Sequence, residues 1–240
     1  MCQNAANSTE RTIRCVKESN KGEISMKEYL IAIALATVAL ALQGCAYNVQ
    51  TVTVPVVNVQ ASYDSKISGK FALVLDDSLK DANRQVKPGS YVCSAHSYPV
   101  SLGTGLSSSL QRMFEQIFEE IQVRPNAPTT EALGREGLRG TVVVRLEEFA
   151  PRINCQMGFF SGNCTAYGDL AVSVNVRGAS GTLFSTSATG TRVADGSAGG
   201  ACEGGAVVLG DAINRSMRDL LERLGERVSN SPRLRDANVK

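Results

Sequence analysis

The chain has 240 residues, 43% of them hydrophobic, which suits a globular core rather than a disordered or fibrous chain. Its 25 Lys and Arg against 23 Asp and Glu leave a net charge of only +2, without the clustered basic excess that binds nucleic acid. Trp is absent and aromatics make up 5%, so base-stacking platforms are disfavoured and no nucleic-acid partner is expected.

Residues 1–25 are polar, with scattered charges and no apolar period. Met26-Lys27-Glu28-Tyr29 then precedes an apolar run of 13 residues, Leu30 to Leu42, interrupted only by Thr37. A charged start, an apolar stretch and a small residue before a cleavage point are the parts of a secretory signal. The run is shorter than the roughly 20 residues needed to span a bilayer as a helix. It ends in Leu42-Gln43-Gly44-Cys45, which resembles the lipobox of bacterial lipoproteins; Leu42, Gly44 and Cys45 match, whereas Gln43 stands where Ala or Ser is usual. The resemblance implies diacylglycerol on the Cys45 sulfur, cleavage between Gly44 and Cys45, and acylation of the new amino terminus. Ala46, rather than Asp, after the cysteine implies sorting to the outer membrane, facing the periplasm. Residues 1–44 are thus expected to be a signal peptide, with Met26 as the true start, and residues 45–65 a lipidated tether. Within it, residues 46–62 read either as tether or as a first, edge-type strand, since Pro55 argues against a central one. The membrane, through the lipid anchor, is the first expected partner.

Besides Cys45 and the two cysteines upstream of Met26 (Cys2 and Cys15), four remain: Cys93, Cys155, Cys164 and Cys202. An even number in an exported chain reads as two disulfides, with three pairings open. Cys155 and Cys164 bracket a short loop that carries Phe159 and Phe160, and stapling it leaves Cys93 with Cys202. The rival reading, zinc, needs ligand pairs as close as C-x₂₋₄-C; no two cysteines here are closer than nine positions apart. No metal or other cofactor is expected. Phe159 and Phe160 are candidates for a membrane or partner contact, or for the small core of a folded-back loop.

Down the chain, Phe71 to Leu75 reads as a buried strand ended by Asp76-Asp77, and Tyr91-Val92-Cys93 after Pro88-Gly89 as a second. Leu106, Leu110, Met113, Phe114, Ile117, Phe118 and Ile121 form a helical stripe, with Thr104 and Ser107 to Ser109 as cap candidates and Pro125 as its stop. Residues 126–140 read as a loop or short helix. Thr141 to Phe149 is a strand with Val142, Val144 and Leu146 on one face. Ala166 to Arg177 alternates Leu170, Val172, Val174 and Val176 with polar residues, and a turn at Gly178–Gly181 leads into a returning strand to Val193. A glycine-rich loop, Gly196 to Gly205, lacks the Gly-Lys-Ser/Thr of a phosphate loop. A final helix from about Glu203 to Ser229 places Asp211/Arg215 and Asp219/Arg223 as i,i+4 pairs on its wet face. Residues 230–240 read as a polar tail.

The fold class expected is α+β: an antiparallel or mixed sheet with two helices packed on one face, forming a single domain over 66–229. The closing hairpin and the terminal helix with Ala212-Ile213-Asn214-Arg215-Ser216-Met217 resemble small envelope lipoproteins of the YajG-like, ABC-transport auxiliary and LPS-assembly kinds. That resemblance implies an accessory or assembly factor of an envelope protein complex rather than a catalyst. The only histidine, His96, has no G-x-S-x-G elbow to serve, and the adjacent carboxylates Asp76-Asp77 and Glu147-Glu148 would point to opposite faces of a strand. No catalytic residues are therefore assigned. The rival class is a periplasmic binding module for a small or lipidic ligand, with its pocket between sheet and helices.

Overall fold

The computed structural model describes residues 51–58, 65–158 and 162–236, and within them the chain is organised around strand β2 (Ile67–Leu75). Phe71 and Leu73 join the main core, while Ala72 packs with Leu133 and Leu138 on the other face. A strand covered on both faces reads as the continuous apolar run Phe71–Leu75. Its neighbours are both parallel to it: β5 (Phe118–Arg124) on one side and β6 (Leu138–Phe149) on the other.

The sheet continues antiparallel through β8 (Gly162–Gly178) to β9 (Gly181–Ser197), so among the described residues it is mixed and six-stranded. The sixth strand, β7 (Arg152–Met157), lies end to end with β6 along the same edge of β8. Ala150 N–H donates to Asp169 O at 3.0 Å, carrying the ladder across the join at Pro151, which has no N–H to give.

Helices α2 (Gly103–Ile117) and α4 (Gly204–Ser229) cover one face of this sheet, and the expected α+β class holds. A short α1 (Asp77–Lys80) follows β2, and α3 (Thr130–Arg135) joins β5 to β6. Because β5 and β6 flank β2, the chain moves one way across the sheet through α2 and back the other way through α3. Parallel crossovers of one hand, run in opposite directions, fall on opposite faces. Hence α3 caps the face that was expected to be bare, through Leu133.

Several expectations are corrected. Val52, Val54 and Val57, in the expected tether, are buried. β1 (Val52–Thr53) pairs with β4 (Tyr98–Ser101), which pairs in turn with β3 (Asn83–Val86). Past β1 the chain crosses α2 at Gly105, where an added Cβ would lie 2.3 Å from Val54 O. Tyr91–Cys93 is a turn rather than a strand, because Cys93 adopts φ +61°, which extended backbone excludes. The helical stripe stops at Ile117: Phe118 is already extended, and its backbone finds partners on β2, a ladder that outcompetes one more helical turn. The Ser and Thr residues offered as caps lie inside α2, where Ser109 Oγ donates to Gly105 O and accepts from Val57 N. Residues 230–236 are docked rather than a free tail. Leu234 in α5 (Pro232–Arg235) is fully buried, and Arg235 donates to Ser229 O and Ser65 Oγ.

The long hairpin meets α4 through glycines. A Cβ at Gly190 would lie 1.9 Å from Ser216 O, and one at Gly168 would lie 2.8 Å from Ala212 O. Gly134 in α3 has nothing within 4 Å of such a Cβ. Gly190→Ala should therefore lose about 1–3 kcal/mol through overpacking, whereas Gly134→Ala should gain about 0.5–1 kcal/mol of helix propensity. Urea unfolding of the two variants should give shifts of opposite sign.

Candidate functional site

Two places on the described domain gather unusual chemistry: the crevice at the ends of the parallel strands, and the end tied by disulfides. At the first, β2 leads to the helical face while β5 leads to α3 on the other, so the chain parts at the carboxyl ends of two adjacent parallel strands. Such switch points leave a crevice in which α/β proteins bind ligands. Here it is a groove of about 520 Å³ lined by Leu75, Asp76, Pro125, Asn126, Arg145 and Arg177, among others.

The charges of the crevice answer one another. Asp76 Oδ1 accepts from Ser78 N at 3.1 Å, capping α1, and Asp76 pairs with Arg145 at 3.2 Å. The Ser78 backbone N–H foremost, then its hydroxyl, hold the Asp76 carboxyl below its ordinary range, with Arg145 adding to the effect. This contributes stability at neutral pH that is lost as the pH falls through the lowered value. Asp77 bonds Lys80 instead, so the two aspartates divide between a cap and a local ion pair. Glu147 accepts from the Ser173 hydroxyl and Glu148 stands opposite Ala171, on the same face of β8, because the ladder register shifts between Leu146 and Glu148; the two glutamates therefore do not alternate between faces as expected. Arg177 donates to Asn175 Oδ1 at 3.2 Å. Arg145 and Arg177 were legible as polar-face positions of alternating strands, but nothing in the sequence joined them to Asp76.

At the other place, the structure pairs Cys155 with Cys164 and Cys93 with Cys202. Cys155 and Cys164 are directly opposite on β7 and β8, 4.0 Å apart at Cα, rather than the ends of a loop. Cys155 N–H turns away from β8 to Ser90 Oγ at 2.9 Å, and non-hydrogen-bonded pairs are the closely spaced ones. Cys93 and Cys202 both adopt left-handed backbone, φ +61° and +60°, a conformation that costs a non-glycine residue roughly 1 kcal/mol or more. Their bond ties the turn before β4 to the loop before α4. Tyr98 Oη donates to Cys202 O at 2.8 Å, and burial, with the Glu203 charge adding, raises its phenol above the ordinary value. Glu203 itself is held low by its own backbone N–H and that of Ala201, with His96 a smaller contributor. His96 N–H closes the turn by donating to Cys93 O. Tyr91, Val92, Met157 and the Cys93–Cys202 bond line a groove of about 470 Å³ here.

Leu42, Gln43, Gly44, Cys45, Phe159 and Phe160 lie outside the described residues. Among the described residues, no group of three or more His, Cys, Asp or Glu is placed to hold a metal, and no helix is long and apolar enough to cross a membrane. The i,i+4 pairs of α4 form, but Asp219 is buried rather than wet and also receives Arg192 of β9 at 2.7 Å.

No protein-family model and no curated protein matches the chain. Solved structures with a similar arrangement include a DUF330 protein from Xanthomonas campestris, at 12% identity over 75% of this chain and 98% of that one, with TM-score 0.43. A neuraminyllactose-binding hemagglutinin homolog from Helicobacter pylori matches at 8% identity, over 74% and 93%, with TM-score 0.42. A minor lipoprotein from Acinetobacter baumannii matches at 14% identity, over 69% and 93%, with TM-score 0.35. At these values the likeness carries no functional argument.

The Cys93–Cys202 bond closes a separation of 109 residues and the Cys155–Cys164 bond one of 9. Loop entropy assigns about 4.7 kcal/mol to the first and about 2.7 kcal/mol to the second. Replacing Cys93 and Cys202 by Ser should therefore lower the urea midpoint more than replacing Cys155 and Cys164; equal losses would contradict the chain-entropy account.

Proposed function

We propose that the chain is a lipid-anchored lipoprotein of the bacterial outer membrane that faces the periplasm. In this reading it serves without catalysis, as an accessory or assembly factor of an envelope protein complex. The observation that carries the reading is the apolar run Leu30–Leu42 closing on Leu42-Gln43-Gly44-Cys45, ahead of a domain with two disulfides among its described residues. Disulfides persist in oxidising compartments such as the periplasm. The titratable groups of the crevice are engaged in caps and ion pairs, an arrangement for holding structure rather than moving protons. The Cys45→Ser variant should lose incorporation of labelled palmitate and leave the membrane fraction, and unchanged fractionation would reject the anchor. Crosslinking in cells should recover one envelope complex as the neighbour; neighbours scattered over unrelated proteins would reject the accessory role.

The crevice favours a second reading, a binding module for a small ligand. Its place differs from the one expected, since it opens on the α3 side of the sheet and not beneath α2 and α4. Native mass spectrometry of the purified protein should then show a retained small molecule that Arg177→Ala releases, and a ligand-free spectrum would leave the first reading alone.

A further inference from the structure

In the crevice Asp76 and Arg145 pair with each other, whereas at the disulfide end the course of the chain itself gives a direction. β1 runs parallel to β4 with Val52 opposite Val100, so the chain traced backwards from Val52 heads towards Tyr98. The Tyr98 hydroxyl reaches the Cys202 carbonyl, and Val52 packs against α4 at Gly210, where an added Cβ would lie 3.2 Å from Val52 Cγ1. One helical turn before Gly210, Val207 is 71% exposed. Beside the Cys93–Cys202 bond, Tyr91 is 95% exposed and Met157 72%, both lining the same groove. Large apolar side chains this bare, gathered at one end, mark a contact surface.

We infer that this end of the domain faces the bilayer, with Tyr91, Met157 and Val207 resting in its interfacial layer. The inference rests on lipidation at Cys45. Only residues 46–50 separate Cys45 from Thr51, and six Cα–Cα steps span at most about 20 Å. A bilayer that holds the Cys45 acyl chains therefore lies within that distance of Thr51, just before β1. The opposite end, at the Gly178–Gly181 turn, is separated from it by the 17 residues of β8, roughly 50 Å of strand. The occupant of the exposed apolar end is thus the lipid surface. Tyrosine suits that layer, since its ring is apolar and its hydroxyl stays hydrated. With the end seated, the crevice and the α3 face stay open to the periplasm.

The chain has no tryptophan, so a single introduced one reports alone. The full-length lipidated protein, carrying either Tyr91→Trp or Ala179→Trp, would be reconstituted into phosphatidylethanolamine–phosphatidylglycerol vesicles with brominated acyl chains. Both positions are exposed, so neither change disturbs the core. Flotation with the vesicles checks the anchor independently of fluorescence. The expected result is flotation of both variants, with several-fold stronger quenching and a blue shift for Tyr91→Trp only. Flotation with weak quenching at both positions, or stronger quenching at Ala179→Trp, overturns the membrane-facing end while leaving the anchor intact. A blue shift at Tyr91→Trp without bromine quenching assigns the patch to a second copy of the chain or another protein, and overturns it too. Loss of flotation overturns both the lipoprotein reading and the inference built on it.

Discussion

The longest helix and the longest hairpin among the described residues touch backbone to backbone, and the core of the domain packs along that seam. Gly168 and Gly190 remove the side chains that would hold α4 off the sheet. Ser216, buried in the gap, places its hydroxyl against Gly168 O and Ala212 O. Close approach lets Ile213, Met217, Leu220 and Leu224 bury completely against the inward row Leu170, Val172, Val174 and Val176. Area burial of this kind, at about 25 cal/mol per Å² of apolar surface, is the main favourable contribution available to a domain of this size. Arg192 and Asp219 add a charged clasp at the rim, where the buried carboxylate receives two guanidinium groups.

That seam gives the domain two ends of different character. Towards the start of α4, the Cys93–Cys202 bond, Tyr98 and β1 converge, and the chain arrives from its amino-terminal side. Along the other face, the reversal of chain direction about β2 opens a crevice framed by Asp76, Arg145 and Arg177.

Much of the architecture was legible because it follows from periodicity. The alternation Leu170, Val172, Val174, Val176 fixed the inward face of β8, and the stripe from Ile213 to Val228 fixed the last helix almost to the residue. Period alone misled at Phe118 and Ile121, whose spacing continues the stripe of α2 although both belong to β5. Spacing records only which residues seek burial, and Phe118 is buried against Phe71, 4.7 Å between ring centroids, as a strand residue. β7 was hidden for a related reason: its apolar positions are few, and its pairing is decided by β8.

The sequence by itself determined which residues face the core of the hairpin and last helix, and that four cysteines fall within the domain. Those properties are local, since an alternating strand and an amphipathic helix are each read within one or two dozen residues. Only the tertiary structure decided which cysteines meet, that residues 51–58 and 230–236 belong to the fold, and that α3 takes the opposite face. Each depends on contacts between segments far apart in the chain, whose closure costs entropy that only the assembled core repays. The crevice is the clearest case: Asp76 and Arg145 stand 3.2 Å apart because β2 and β6 are parallel neighbours in register, a relation that no local pattern encodes.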